Sequence, residues 1–316
     1  MTIAPELLKR RISSGILAFP ATAFAADGAL DTGTFAKHVG DLVRHRPTAL
    51  VPAGGAGEIF SLTPAEHRLV IETAVAEAGD VPVIAGAGQG VAIAREMAIA
   101  SERAGAAGVL LFPPYLITPE QEGLAAYIAE VCRAVSIGVV VYSRDNGIVA
   151  ADTAQRLAEK CPNLIALKDG AGDFEEMVAL KQRVGDRLAL INGVPTAEII
   201  APQFFALGVK SYTSAVFTFM PEVATRYYRA LVSGDGAMVD RLLREFYVPL
   251  AALRSRRRGY AVAIVKAGLI AAGRSAGAVR PPLVGLEAGE ERMLAALMAR
   301  ARAIVSEEGA GAEAVG

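Results

Sequence analysis

Short apolar runs alternate with amphipathic segments along most of this chain, and no other feature constrains the fold as tightly. The runs fall at 16–19, 49–51, 81–85, 108–112, 138–142, 164–167, 188–191 and 209–212. Each is too short for a buried helix, and most are bounded by Gly or Pro, so each is predicted to be a buried strand. Helices are predicted between them, near 31–45, 63–78, 91–104, 119–135, 151–160, 174–184, 196–207 and 221–231. Asp31 or Thr32 can cap the first of these. Thr63-Pro64-Ala65-Glu66 has the form of a helix start: a threonine cap, proline in the first position and glutamate three residues after the cap. Strands and helices in this rhythm predict a parallel sheet covered by helices and closed as an α/β (β/α)8 TIM barrel. An open doubly wound sheet is the alternative. From residue 233 on, helices are expected near 238–253, 260–272 and 290–304 with no strand between them. The expected organisation is therefore a barrel over 1–232 and a C-terminal helical extension over 233–316. Its Glu/Ala/Gly-rich end, 307–316, is expected to fray.

Hydrophobic residues make up 53% of the chain, enough for a large core, and the formal net charge of −1 offers no field for nucleic acid or an anionic membrane surface. The two cysteines, Cys132 and Cys161, lack metal-like spacing and suggest a reducing compartment. The first 14 residues carry Glu6, Lys9, Arg10 and Arg11 and no apolar core of a signal peptide. The longest uncharged run, 104–119, is interrupted by Pro113 and Pro114 and is too short to span a bilayer. A soluble cytoplasmic protein is expected.

In a barrel of this kind the working face lies at the carboxyl ends of the strands. Strand two leads into Gly54-Gly55-Ala56-Gly57-Glu58, strand five into Tyr142-Ser143-Arg144, strand six into Lys168-Asp169-Gly170, strand seven into Asn192-Gly193 and strand eight into Thr213-Ser214. A lysine at the mouth of a buried strand can lose solvation, drop its pKa and act as an amine nucleophile. Backbone N–H groups of a glycine loop can hold a carboxylate, and a tyrosine can relay a proton. Taken singly, each has an ordinary structural use: a strand-end lysine reaching solvent, glycines for turns, a half-buried tyrosine, a capping serine. Their convergence on one face points to a small-molecule active site.

Other motifs point elsewhere and carry less. Gly86-Ala87-Gly88-Gln89-Gly90 follows a strand and precedes a helix, as a dinucleotide fingerprint does, but Val91 stands where its third glycine is required. Arg254, Arg256, Arg257 and Arg258 read as a solvated or subunit-facing salt-bridge surface. His38, His45 and His67 fall on predicted outer helices without metal-ligand spacing, so no metal site is expected.

With these residues in view, the chain resembles the dihydrodipicolinate synthase / N-acetylneuraminate lyase family, through its Gly-x-x-Gly-Glu loop, its tyrosine ending strand five and its lysine ending strand six. Pro113-Pro114-Tyr115, Lys168-Asp169-Gly170, Pro195-Thr196-Ala197-Glu198, the stretch 260–268 and Val279-Arg280-Pro281-Pro282 are similar to its 5-dehydro-4-deoxyglucarate dehydratase branch. The resemblance implies a barrel with a C-terminal helical extension that forms a Schiff base with a 2-keto sugar acid and releases water and carbon dioxide. Lys168 would form the imine and Tyr142 would relay protons. Gly54, Gly55 and Ala56 would hold the keto-acid carboxylate. Ser214 is a candidate substrate contact, and Arg144 a partner for a distal carboxylate unless Asp145 claims it. No metal or organic cofactor is implied, because the lysine supplies the electron sink. A homotetramer is implied, with Tyr115 near a subunit interface. The chain departs from the branch at Ala56, Ser143, Asn192 and Thr218, where Thr, Asn, Gly and Asn are usual, and several of these positions are expected to line the site. Two rivals follow: a Schiff-base aldolase or synthase on another 2-keto acid, and a non-catalytic barrel that binds one.

Overall fold

A computed structural model describes residues 3–313, with side chains described through residue 307. The strands are β1 (Ser14–Ala18), β2 (Ala49–Leu50), β3 (Ile84–Ala87), β4 (Gly108–Leu111), β5 (Gly138–Ser143), β6 (Leu164–Asp169), β7 (Ala189–Asn192) and β8 (Lys210–Ser214). They pair in parallel in the order β2-β1-β8-β7-β6-β5-β4-β3. The two ends of that order meet. Leu50 bridges Val83, Leu50 N–H donates to Pro82 O at 3.0 Å, and Gly86 N–H donates to Pro52 O at 3.0 Å. The result is the nearly closed (β/α)8 barrel that the alternation predicts, and the open sheet is set aside.

The helices are α1 (Pro5–Ile12), α2 (Thr32–Val43), α3 (Pro64–Glu77), α4 (Val91–Arg103), α5 (Gln121–Ala134), α6 (Ala151–Lys160), α7 (Phe174–Val184), α8 (Ala201–Ala206), α9 (Val216–Phe219), α10 (Pro221–Ser233), α11 (Gly236–Leu242), α12 (Val248–Arg254), α13 (Tyr260–Ala271) and α14 (Ala288–Glu313). Asp31 caps α2 by accepting from Thr34 N–H, and α3 begins with the predicted capping box between Thr63 and Glu66. Two predicted helices are interrupted for one reason, a proline that cannot donate. Pro202 leaves 197–200 as a 3-10 turn before α8, and Pro249 lacks the N–H that would return to Glu245, beside a π-type turn at Leu243–Tyr247. Helix α14 continues to Glu313, into the stretch expected to fray; 314–316 lie outside the described residues. Among the described residues no helix is long and apolar enough to cross a membrane.

Helix α1, which the apolar pattern does not announce, buries Leu8 and Ile12 and closes the amino-terminal end of the barrel. A Cβ on Gly108 or Gly138 would stand 3.0 or 3.1 Å from Leu8 Cδ2, so these two glycines open the bottom of the sheet to the leucine. Above it lies the inner layer, with Leu17, Ala49, Ile84, Leu110, Val140 and Ile191.

The carboxyl end is tied to the C-terminal helices through a buried charge network. Glu58, fully buried, forms an ion pair with Lys266 on α13 at 2.7 Å and accepts from Arg280 N–H at 3.0 Å. Arg280 grips the Glu66 carboxylate with both terminal nitrogens and donates to the carbonyls of Gly28 and Ser61. The loop 52–58 is thus anchored from outside the barrel. Leu8→Ala would leave a void where the barrel closes, and we expect it to lower unfolding free energy by about 3 kcal/mol, measured by urea denaturation. A loss within error would show that α1 is not part of the core.

Candidate active site

Lys168 faces the barrel interior because β6 carries a bulge. The register with β5 runs from Val139–Leu164 to Val140–Ala166, so Ile165 is an extra residue. Leu164 joins the outer core, both Ile165 and Ala166 join the inner one, and Leu167 faces out again. An unbulged strand counted from Leu164 would turn Lys168 outward; with the bulge it turns inward.

The lysine is only 4% exposed. Its Nζ lies 3.5 Å from the ring centroid of Tyr142 and 4.8 Å from that of Phe19. Burial pushes its pKa well below the usual lysine value, and the nearby Arg144 charge adds to that effect. A neutral amine in a cavity can add to a carbonyl carbon. Its stem fits because position 193 is glycine. A Cβ there would meet both Cγ and Cε of Lys168 at 2.4 Å.

Tyr142 donates to Gly193 O at 2.8 Å and receives from Arg144 at 3.2 Å. Burial raises its pKa, with Arg144 opposing, so the hydroxyl keeps its proton near neutrality. Arg144 also donates to Asp145 at 2.6 Å, so the predicted salt bridge forms while the guanidinium still lines the cavity. That cavity holds about 220 Å³ and is bordered by Phe19, Gly55, Ala56, Phe60, Thr196 and Thr213 as well as Lys168, Tyr142 and Arg144. The N–H groups of Gly55 and Ala56 have no partner among the described residues, while Glu58 and Ile59 N–H return to the carbonyls of Gly55 and Gly54. Gly54 lies outside the lining and makes room for Phe19, whose ring a Cβ there would meet at 2.6 Å.

Ser214 is not where the sequence reading puts it. Strand β8 runs two residues beyond the predicted end, so its alternation continues: Thr213 faces the cavity and Ser214 the outer layer. The Ser214 hydroxyl donates to Glu198 at 2.5 Å and accepts from Phe217 N–H at 3.0 Å. The departures at Ser143, Asn192 and Thr218 are corrected likewise. Ser143 accepts from Val149 N–H, Asn192 donates to Ala197 O and Thr218 to Phe19 O, all buried outside the cavity, and Ala56 alone of the four lines it. The glycines at 86 and 88 have packing roles. A Cβ on Gly86 would overlap Ala53 O, and one on Gly88 would press on Phe112. Arg256 pairs with Glu290 and Arg257 with Glu287, both at the start of α14, while Arg254 donates to Thr196. Among the described residues no cluster of three or more His, Cys, Asp or Glu side chains could hold a metal ion.

Glu198 was not predicted to matter beyond its place in a motif. It is fully buried behind the cavity wall, one carboxylate oxygen has no partner, and Tyr212, Tyr227 and Tyr247 crowd it. Burial raises its pKa to about 7, against the opposing hydrogen bond from Ser214 and the charge of Arg254.

The fold and the cavity define a barrel enzyme whose chemistry sits at the carboxyl ends of the strands. Residues 12–301 match the family model described as the dihydrodipicolinate synthetase family, and the chain belongs to that family. It is 48% identical over 307 residues to the "Probable 5-dehydro-4-deoxyglucarate dehydratase" of Bradyrhizobium diazoefficiens, covering 97% of this chain and 98% of that one. It is 49% identical over 295 residues to the protein of the same name from Saccharopolyspora erythraea, covering 93% and 96%. Among solved structures, dihydrodipicolinate synthase from Bacillus clausii superposes with a TM-score of 0.84 at 26% identity, over 93% of this chain and 99% of that one.

Gly193→Ala is expected to slow borohydride-trapped imine formation at least about tenfold with the circular dichroism spectrum unchanged; an undiminished rate would show that the lysine stem does not need this space. Glu198 gives a second test. The unfolded chain loses this proton near 4.5, the folded one only near 7. Stability therefore falls as pH rises between those values and is level above them, by about 3 kcal/mol at most. Glu198→Gln lacks this dependence, so its melting temperature should gain on the wild type from pH 5 to pH 8. A constant gap would contradict the buried acid.

Proposed function

We propose that this chain is a decarboxylating dehydratase that converts 5-dehydro-4-deoxy-D-glucarate to 2,5-dioxopentanoate, water and carbon dioxide through an imine on Lys168. The observation that carries the reading is the buried, desolvated amine of Lys168 against the ring of Tyr142. The names of relatives close to half identical supply the substrate.

The Lys168 amine attacks the ketone at C5, and the oxygen leaves as water with protons passed through Tyr142. The free N–H groups of Gly55 and Ala56 hold the adjacent carboxylate, and Arg144 faces the distal one. Loss of a proton from the neighbouring methylene gives the enamine, which expels the β-hydroxyl as water. Decarboxylation at the far end sends its electron pair through the conjugated system into the iminium; protonation of the resulting dienamine on carbon restores the iminium, the enol becomes the aldehyde, and hydrolysis returns the amine. Arg144 stays charged while it is paired with Asp145, and its hydrogen bond orients the tyrosine.

The same reading places the protein in the cytoplasm as a homotetramer, with the 1–232 barrel carrying the site and 233–316 as its helical extension. Tyr115, 69% exposed next to exposed Leu116 and Ile117, would lie near a subunit interface.

Incubation with 5-dehydro-4-deoxyglucarate should release carbon dioxide, and borohydride added during turnover should leave a reduced adduct on the Lys168 peptide. Lys168→Ala should lower turnover by at least about a thousandfold with the fold intact. Pyruvate as product would replace the dehydratase by an aldolase, and turnover retained in Lys168→Ala would overturn the imine.

A further inference from the structure

The two cysteines of the chain, 132 and 161, border one cavity at the end of the barrel away from Lys168. Cys132 lies in the last turn of α5 and Cys161 directly follows α6. Burial alone would not single them out, since free cysteines are commonly buried. Three further observations do. First, side chains tie down both segments: the side-chain amide of Asn163, two residues after Cys161, donates to the carbonyls of Cys132, Val135 and Ile137, and the Arg187 guanidinium donates to the carbonyl of Cys161. Second, both cysteines border a cavity of about 470 Å³ with Pro5, Arg133, Lys160 and Asn163, so a small reagent can reach them although their residues are only 4% and 5% exposed. Third, the cations Arg133, Lys160 and Arg187 surround Cys161.

We infer that Cys132 and Cys161 form a reversible oxidation site, at which a peroxide-class two-electron oxidant converts the paired thiols to an intramolecular disulfide. The Cys161 sulfur attacks one peroxide oxygen, the O–O bond breaks, and water leaves. The Cys132 sulfur then attacks the resulting sulfenic acid, the S–S bond forms, and a second water carries off the remaining oxygen. Two thiols are oxidised and one peroxide is reduced. Cys161 is suited to the first step. The positive charges of Arg133, Arg187 and Lys160 around it favour the thiolate, the attacking form. The loop closed by the disulfide contains β5, with Tyr142 and Arg144, and β6 begins just beyond it. The cross-link would therefore enclose β5 alone of the strands without touching the cavity, and its test is independent of the imine reading.

The test treats the native wild-type protein with stoichiometric hydrogen peroxide, then alkylates it under denaturing conditions. We expect both thiols to disappear with a mass loss of about 2 Da, restoration of both by dithiothreitol, and a higher melting temperature for the oxidised form. Cys132→Ser should instead leave a sulfenic acid on Cys161, captured by dimedone. Two thiols still alkylated after treatment, separate oxygen adducts on the two cysteines, or a disulfide-linked dimer on a non-reducing gel would each overturn the proposal.

Discussion

The face a strand residue presents follows from counting in twos, and in β6 that count is broken once, at Ile165. The extra residue reverses the phase of everything after it, and the first charged side chain after it is Lys168. Facing outward, the amine would lie in the layer between sheet and helices. Facing inward, it enters a cavity floored by aliphatic side chains and walled by the rings of Tyr142 and Phe19. Desolvation in that position disfavours the ammonium form and lowers the pKa of the amine. The absence of a Cβ at Gly193 and the hydrogen bond from Tyr142 to the Gly193 carbonyl both fit a lysine already turned inward. One backbone irregularity thus decides which side of the sheet the lysine occupies.

The architecture was legible because its signal is periodic and repeated. Strands buried on both faces read as apolar runs, and capping residues such as Thr63 and Glu66 mark where helices begin. Which strand ends converge was also legible, since it follows from the barrel. The face of each residue was not. Leu164, Ile165, Ala166 and Leu167 are all apolar, so no alternation reveals the bulge. At the end of β8, Thr213 and Ser214 are both small hydroxyl residues, and an early strand end hid the parity that separates them. The same ambiguity made Ser143, Asn192 and Thr218 look like site residues when each satisfies a buried backbone group elsewhere. With those three outside the cavity, the difference from the branch that bears on substrate is Ala56. Helix α1 was missed because its eight residues bury only Leu8 and Ile12, too few to stand out as a pattern.

The outer layer does more than cover the sheet. Arg254, on the extension, holds Thr196 at the rim of the cavity, and Thr196 sits in the left-handed region with φ 55°. Glu198 and Ser214 bond to each other behind the same wall. A neutral buried acid tolerates its apolar surroundings, whereas an ionised one would lean on the Ser214 hydroxyl and the charge of Arg254. The rim of the site is therefore shaped from behind by groups that never face the cavity.

The Glu58 network bears on how such a chain comes to be active as it leaves the ribosome. Glu58 emerges early, but the Arg280 N–H it accepts from is 222 positions later, and Lys266 also belongs to the extension. Until those partners exist, a carboxylate at this position has no reason to leave water, and the loop that offers the Gly55 and Ala56 N–H groups is not anchored. A nascent barrel with all eight strands made would still lack the anchors of its 52–58 loop. Anchoring of that loop is thereby deferred until residues 266 and 280 have been made.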